Sequence, residues 1–524
     1  MNVSRRKFIQ GAAAAGAAGL ALQASGSLTN PPGEKLPQRK RRTIYFNDAR
    51  HYYLFVFEPP MKLEDAWVPI DECAGTTVNT FAYGVARGDG LFYPSKIGRR
   101  FGEDIRPFNH CAYYRVWENM QSLIDRGLDP LTVLIDRAHA KGMEFFASLR
   151  IAGYGGMDPS HNVSNGGKGL AHEEVRQHQF DVLKELIMDY DTEGVELDFA
   201  ASPGGAPPIL REKDVNQYTP VITEWVRGVS AMARGRTGKP GLVGARVYPS
   251  EELCLRHGLD VPTWLQEGIV DYIVPMLYID TNLDPDMPFD SLVEIAHAND
   301  VSVYGMLQPY TQNSAAGAPV RVYNTPEAIR AAAANFYAKD VDGVYTWFMK
   351  WPLGDAERRS LAEIGDPDLI KESNKLYVQR RRMEMAVKMG YDATLPIEIP
   401  MANPGKTYKI PFTIADDIAA DARRIRQVRM ELKIFNIVSA DRLTVRLNGQ
   451  PLDGETCLRT YSGNITPYQG QKLEFHLEKV RPRRGDNSVE ISLDRRPKGF
   501  AGGISIEEME VYVEYGVFPS GLNA

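Results

Sequence analysis

Glu196 and Asp198 stand two residues apart in Gly194-Val-Glu-Leu-Asp-Phe-Ala-Ala-Ser-Pro203, and two carboxylates at that spacing offer acid–base or nucleophilic chemistry. Side chains alternate along a strand, so Val195, Leu197 and Phe199 turn toward an apolar layer while Glu196 and Asp198 point together to the other side. An ionised carboxylate buried without partners is costly, so the pair belongs either at a polar mouth or in a hydrogen-bonded network. Both readings stay open at this point. Hydrolysis of a glycosidic bond is one reaction such a pair can run: one carboxyl protonates the leaving oxygen, and a second acts as nucleophile or base. Asp198 is the first candidate. Asp280 is its expected partner, with Glu196 and Asp48 as rivals.

The elements that must position these groups read as repeated strand–helix units. Strands are expected over 43–48, 77–84, 144–151, 194–199, 242–249, 272–279, 301–309 and 343–349, with helices such as 130–141, 173–190, 215–234, 288–299 and 326–338 between them. Eight units in one stretch fit an α/β fold of the (β/α)₈ TIM-barrel type. A doubly wound open sheet is the alternative, but no Gly-x-Gly-x-x-Gly follows the first strand.

Active sites of such barrels lie at the carboxyl ends of the strands, so the polar residues closing each strand form one candidate ring. Beside the carboxylates, the expected substrate-binding residues are Asp48, Arg50 and His51 after strand one, Arg150 on strand three, and Arg246 and Tyr248 on strand five. Tyr278 on strand six, Gln308 on strand seven, and Trp347 and Lys350 at strand eight complete it. Aromatic faces beside polar groups suit sugar rings, although each aromatic taken singly also reads as packing. Three arginines at one mouth would also fit an acidic or sulfated sugar.

Asp198-Phe-Ala-Ala-Ser-Pro203 and the upstream Val133-Leu-Ile-Asp-Arg-Ala-His-Ala-Lys-Gly-Met-Glu144 resemble the bacterial glycosyl hydrolase-like barrels described as family 10-like, whose fourth strand ends in Asp-Tyr-x-Arg-Phe-Pro. Asp198 and Pro203 match, Phe199 stands for the tyrosine, and Ala201 replaces the arginine. The resemblance spans roughly 43–365 and implies an O-glycosyl hydrolase with a carboxylate at Asp198. Ala201 motivates the alternative, a carbohydrate-binding barrel without catalysis.

With 524 residues, 43% hydrophobic and 24% charged, the chain has material for a large core and a second domain. A net charge of −6 argues against a nucleic-acid partner, which needs a concentrated basic surface. The basic runs at 38–42 and Arg380–Arg382 are expected to be a solvated linker and a solvated helix face. Ser4-Arg-Arg-Lys-Phe-Ile9 followed by an Ala/Gly-rich run to Leu22 resembles a twin-arginine signal peptide, which implies the twin-arginine translocation machinery as a partner and a periplasmic or secreted protein. The apolar run is short for a stable membrane span. Cys73, Cys111, Cys254 and Cys457 lack Cys-x-x-Cys spacing, and free, buried thiols are expected. No cofactor or metal is called for: His172 and His178 are six apart, and Asp280, Asp284, Asp286 and Asp290 match a calcium loop only loosely, reading instead as a solvated loop.

Beyond residue 366 the composition turns to β-rich runs with turns such as Asn448-Gly449, the pattern of a β-sandwich. The segments 443–452 and 484–491 resemble galactose-binding-like sandwiches, with simple packing as the other reading. The expected organisation is a signal peptide over 1–26, a linker over 27–42, the barrel over 43–366, a linking helix over 367–392 and the sandwich over 393–524.

Overall fold

A computed structural model of the chain describes residues 39–48, 53–87, 90–151, 156–157, 169–200, 209–278, 281–313, 320–347, 349–461 and 470–516. The expected signal peptide, Arg50, His51 and Asp280 therefore lie outside the described residues. So does Ala201.

Eight parallel strands close into a barrel: β1 (Arg42–Asp48), β2 (Thr80–Gly84), β3 (Glu144–Arg150), β4 (Gly194–Asp198), β5 (Leu242–Val247), β6 (Tyr272–Pro275), β7 (Ser302–Leu307) and β8 (Gly343–Trp347). Each pairs with its sequence neighbour, and β8 returns to β1 with Phe46 opposite Trp347. Parallel strands covered on both faces are buried throughout, which is why they read as mixed apolar runs. Outward side chains stack on one another, as Phe81 does on Phe145 with ring centroids 5.8 Å apart. Inward ones include Arg42, whose Nε lies 2.7 Å from Glu144 Oε2 and whose Nη1 donates to Tyr304 Oη at 2.8 Å. The expected linker thus ends one residue early: Arg42 is a buried strand residue tied into the barrel floor, not a solvated charge. Gly244 is required on β5, since a Cβ there would fall 1.9 Å from Tyr272 Cζ.

Two antiparallel sheets follow the barrel. One orders Lys375–Gln379, Ile504–Tyr515, Ile425–Phe435, Gly470–His476 and Thr456–Tyr461, and the other Thr407–Ile414, Gly485–Arg495, Arg442–Leu447 and Gln450–Pro451. Their inner faces share one core through residues such as Ile410, Ile491, Met430 and Val511. The barrel helix Pro326–Ala338 adds Ala331 to that core while Phe336 packs into the barrel. A helix covered on both sides must be apolar nearly all round, and the small alanines from Ala331 to Ala334 let both layers approach it.

Four expectations are corrected here. A single linking helix over 367–392 does not form: Pro367–Lys371 and Glu384–Lys388 are short helices flanking the strand Lys375–Gln379, whose register with Met509–Val513 supplies hydrogen bonds that a helix would forgo. Arg380–Arg382 is not a solvated face, because each arginine meets an acid distant in sequence: Glu510, Glu507 and Asp284 respectively. Asp284 and Asp286 are not in a solvated loop but face the sandwich. Of the cysteines, all free, Cys73 and Cys254 are buried as expected, whereas Cys111 and Cys457 are exposed.

Candidate active site

Three carboxylates and two guanidiniums occupy the inward positions near the carboxyl ends of β1, β3, β4 and β5. Arg246 Nη2 lies 2.6 Å from Asp198 Oδ2, and Arg150 Nη2 lies 2.5 Å from Asp48 Oδ2. Strand register puts Arg150, Asp198 and Arg246 at one level, so the two ion pairs sit side by side. All four side chains are buried.

One layer deeper, Glu196 is enclosed. Its Oε1 accepts from Ser148 Oγ at 2.8 Å and Tyr345 Oη at 3.1 Å, and its Oε2 from Tyr272 Oη at 3.2 Å. Arg246 Nε lies 3.0 Å from Glu196 Oε1 without hydrogen-bond alignment, while Arg246 Nη2 also donates to Ser148 Oγ at 3.1 Å. Burial, then the Glu196 charge, pushes the Tyr272 and Tyr345 hydroxyls well above the ordinary tyrosine range, which keeps both as donors. Burial opposes the Arg246 charge, but Asp198 leads the groups that raise its pKa. Arg150 is likewise opposed by burial and raised by Asp48, Tyr278 and Asp198.

Ser148, Tyr272 and Tyr345 were missed in the sequence. Their signal was parity: Ser148 stands two before Arg150, Tyr345 two before Trp347, and Tyr272 six before Tyr278.

The remaining candidates spread around the rim. Tyr278 packs on Trp347 in a tilted arrangement, centroids 4.9 Å apart and ring planes 51° apart, and lies 5.5 Å beneath the Arg150 guanidinium. Gln308 Nε2 donates to the Leu277 carbonyl at 3.3 Å, whereas its buried Oε1 has no partner among the described residues. Gln308, Trp347 and the exposed Lys350 line a pocket of about 20 Å³, room for roughly one water. Tyr248 packs its ring on His257 at 5.2 Å, and its hydroxyl is pushed up by burial, with Cys254 and Asp198 adding to the effect. A cavity of about 570 Å³ is lined by Arg39, Arg41 and Asp342, just before β1 and β8, hence at the opposite barrel end, together with Asp416 of the sandwich. It is remote from Asp198. Among the described residues no group of three or more His, Cys, Asp or Glu is placed to hold a metal ion, and no helix is long and apolar enough to cross a membrane.

No family model and no curated protein matches the chain. Solved structures do. A cycloisomaltooligosaccharide glucanotransferase from Paenibacillus sp. is similar over 89% of this chain and 57% of its own, at 11% identity and a TM-score of 0.33. An α-L-fucosidase from Bacteroides thetaiotaomicron is similar over 90% of this chain and 98% of its own, at 10% identity and 0.37. An α-L-fucosidase isoenzyme from Paenibacillus thiaminolyticus covers 63% and 48%, at 12% identity and 0.37. The chain thus spans about half the length of two of the three. At such scores these likenesses carry no functional argument, and the barrel assignment rests on the strand registers above.

Proposed function

We propose that the protein is a glycoside hydrolase that uses Asp198 as a catalytic carboxylate at the carboxyl end of β4. The observation that carries this reading is the placement of Asp198 beside the Asp48–Arg150 pair at one level of the barrel mouth. Three carboxylates served by two guanidiniums, among the described residues, leave an excess of negative charge in a water-poor site. Such a field stabilises the cationic, oxocarbenium-like transition state of glycosidic cleavage. Held at 2.6 Å by Arg246, Asp198 is oriented and paired with a fixed cation, an arrangement that suits a nucleophile or electrostatic stabiliser better than a proton donor. Asp48 is the second carboxylate in this reading and Asp280 its rival. Glu196, with both oxygens occupied, serves to hold Arg246.

Tyr278, partly exposed and backed by the buried Trp347, supplies aromatic surface for a sugar ring, and Arg150 suits an acidic or sulfated substituent. Ser4-Arg-Arg-Lys-Phe-Ile9 supports export by the twin-arginine route to a periplasmic or secreted location, which fractionation of cells expressing wild type and Arg5→Lys/Arg6→Lys would test.

Release of reducing ends from neutral and acidic glycans, measured for the mature protein beside Asp198→Asn, Asp48→Asn and Asp280→Asn, tests the assignment. Turnover that falls by about a hundredfold or more in Asp198→Asn supports it. Undiminished turnover in that variant rejects it. A second reading, a carbohydrate-binding barrel without catalysis, is favoured by the burial of both Asp198 and Asp48 in ion pairs. It predicts glycan binding without turnover in every variant.

A further inference from the structure

The segment from Thr281 to Phe289, which follows β6 and Tyr278, has an alternating pattern that its position in a loop does not require. Leu283, Met287 and Phe289 enter the barrel core, whereas Asn282, Asp284 and Asp286 turn the other way. Asn282 Nδ2 donates to the Arg381 carbonyl at 3.4 Å. Asp284 Oδ2 accepts from the Arg382 guanidinium and the Tyr391 hydroxyl, and that guanidinium lies 4.6 Å over the Tyr391 ring. Asp286 Oδ2 accepts from Gln379 Nε2 and from the Thr413 amide at 3.2 Å, and its Oδ1 from Asn335 Nδ2 at 3.1 Å. Arg382, Tyr391 and Gln379 lie just after or on the first sandwich strand.

The same short segment reaches the mouth. The Leu283 amide donates to the Tyr310 carbonyl at 2.8 Å, and the Tyr310 amide to the Thr281 carbonyl at 3.3 Å. Tyr310 opens the hairpin of Tyr310–Asn313 and Val320–Tyr323, its ring 4.9 Å from that of Tyr323. Immediately upstream, Tyr278 contacts Trp347 and Arg150. Loops ordinarily solvate their polar groups, and a buried carboxylate deprived of its cation forces either protonation or displacement of the backbone that carries it. The sandwich partners thus hold the polar side of the segment, as the barrel core holds its apolar side.

We propose that Arg382, with Gln379 and Tyr391, is a positioning residue for the barrel mouth: the sandwich holds the loop after β6, and through it the Tyr310–Tyr323 hairpin, in register with the site. The sandwich is then a working part of the barrel and not an independent sugar-binding module. The proposal rests on the glycosidase reading only in taking the mouth as the site.

Hydrogen exchange on the full chain tests it without any substrate. In Arg382→Met, peptides carrying the Leu283 and Tyr310 amides are expected to exchange about tenfold faster, while those carrying Leu197 of β4 and Met430 of the sandwich keep their wild-type rates. Asp284→Asn/Arg382→Met, which removes the stranded charge, is expected to recover part of the protection. Tyr391→Phe, which deletes one hydroxyl donor to Asp284, gives a smaller rise at the same peptides and carries the comparison if Arg382→Met does not fold. Unchanged exchange at Leu283 and Tyr310 overturns the proposal, as does an equal rise at Leu197 and Met430, which would make the effect one of global stability. On any glycan that wild type turns over, Arg382→Met is expected to raise KM several-fold more than it lowers kcat. Absence of turnover in wild type would count against the glycosidase reading alone, since the exchange result stands independently.

Discussion

Arg246 Nη2 and Asp198 Oδ2 are 2.6 Å apart at the carboxyl end of the barrel, and neither side chain has any solvent exposure. The same guanidinium also neighbours Glu196, so one cation balances two carboxylates taken out of water. Removing it strands both. Arg246→Met is expected to cost about 3–5 kcal/mol of stability in urea unfolding, a large part of a typical domain's total. A loss under about 1 kcal/mol would mean that water or protonation replaces the arginine at little cost.

Asp198 and Glu196 differ in what surrounds them, and their amide variants should separate stability from chemistry. Glu196→Gln disturbs acceptors for Ser148, Tyr272 and Tyr345, so its expected signature is a loss of about 1–3 kcal/mol with turnover changed less than about tenfold. Asp198→Asn is expected to show the reverse, a folded protein with turnover lost. Denaturation curves and initial rates on the same preparations check the split.

Gly244 leaves the space into which Tyr272 lies. A methyl there would sit 1.9 Å from Tyr272 Cζ, and that ring is fixed by its hydrogen bond to Glu196. Gly244→Ala should destabilise by about 1–3 kcal/mol or more, whereas Gly127→Ala, at an open turn with φ +75°, should lose only the strain of that backbone. Comparative melting temperatures decide it.

Asp286 is pushed up to about 7 by burial and then by the neighbouring Asp284, against an ordinary value of 3.8; Lys339 also faces it and lowers it. The folded state thus holds this proton more tightly than the unfolded chain does. Its contribution to stability is full below the unfolded value and is lost as pH rises toward about 7. Glu72, pushed up to about 7 by burial against hydrogen bonds from Tyr45 and Trp351, acts in the same sense. Melting measured between about pH 4.5 and about pH 7.5 should show wild type losing ground to Asp286→Asn/Glu72→Gln as pH rises. A pH slope identical in both proteins would contradict this.

Cys111 and Cys457 are exposed, and Cys73 and Cys254 are buried, with burial raising both buried thiols far above the ordinary range. A thiol reagent should therefore label two sites in the native protein and four after unfolding. Rapid labelling of all four without denaturant would contradict the packing around Cys73 and Cys254.

The sequence alone determined the barrel, because strand alternation and helical period are local properties that survive without knowledge of what packs where. The inward parity of Glu196, Asp198 and Arg246 was equally legible, since two-residue periodicity needs only the chain itself. Partners were not. Which carboxylate Arg246 holds, why Glu196 is enclosed by Ser148, Tyr272 and Tyr345, and why Arg380, Arg382 and Asp284 are drawn in against distant partners all depend on barrel closure and on sheet registers that join residues up to some hundreds of positions apart. Lys375–Gln379 was misread for the same reason: its neighbours carry charge at helical spacing, and only the unpaired edge of Ile504–Tyr515 makes it a strand. Local pattern fixes which elements form, while charge burial is decided by what the folded chain brings within hydrogen-bond reach.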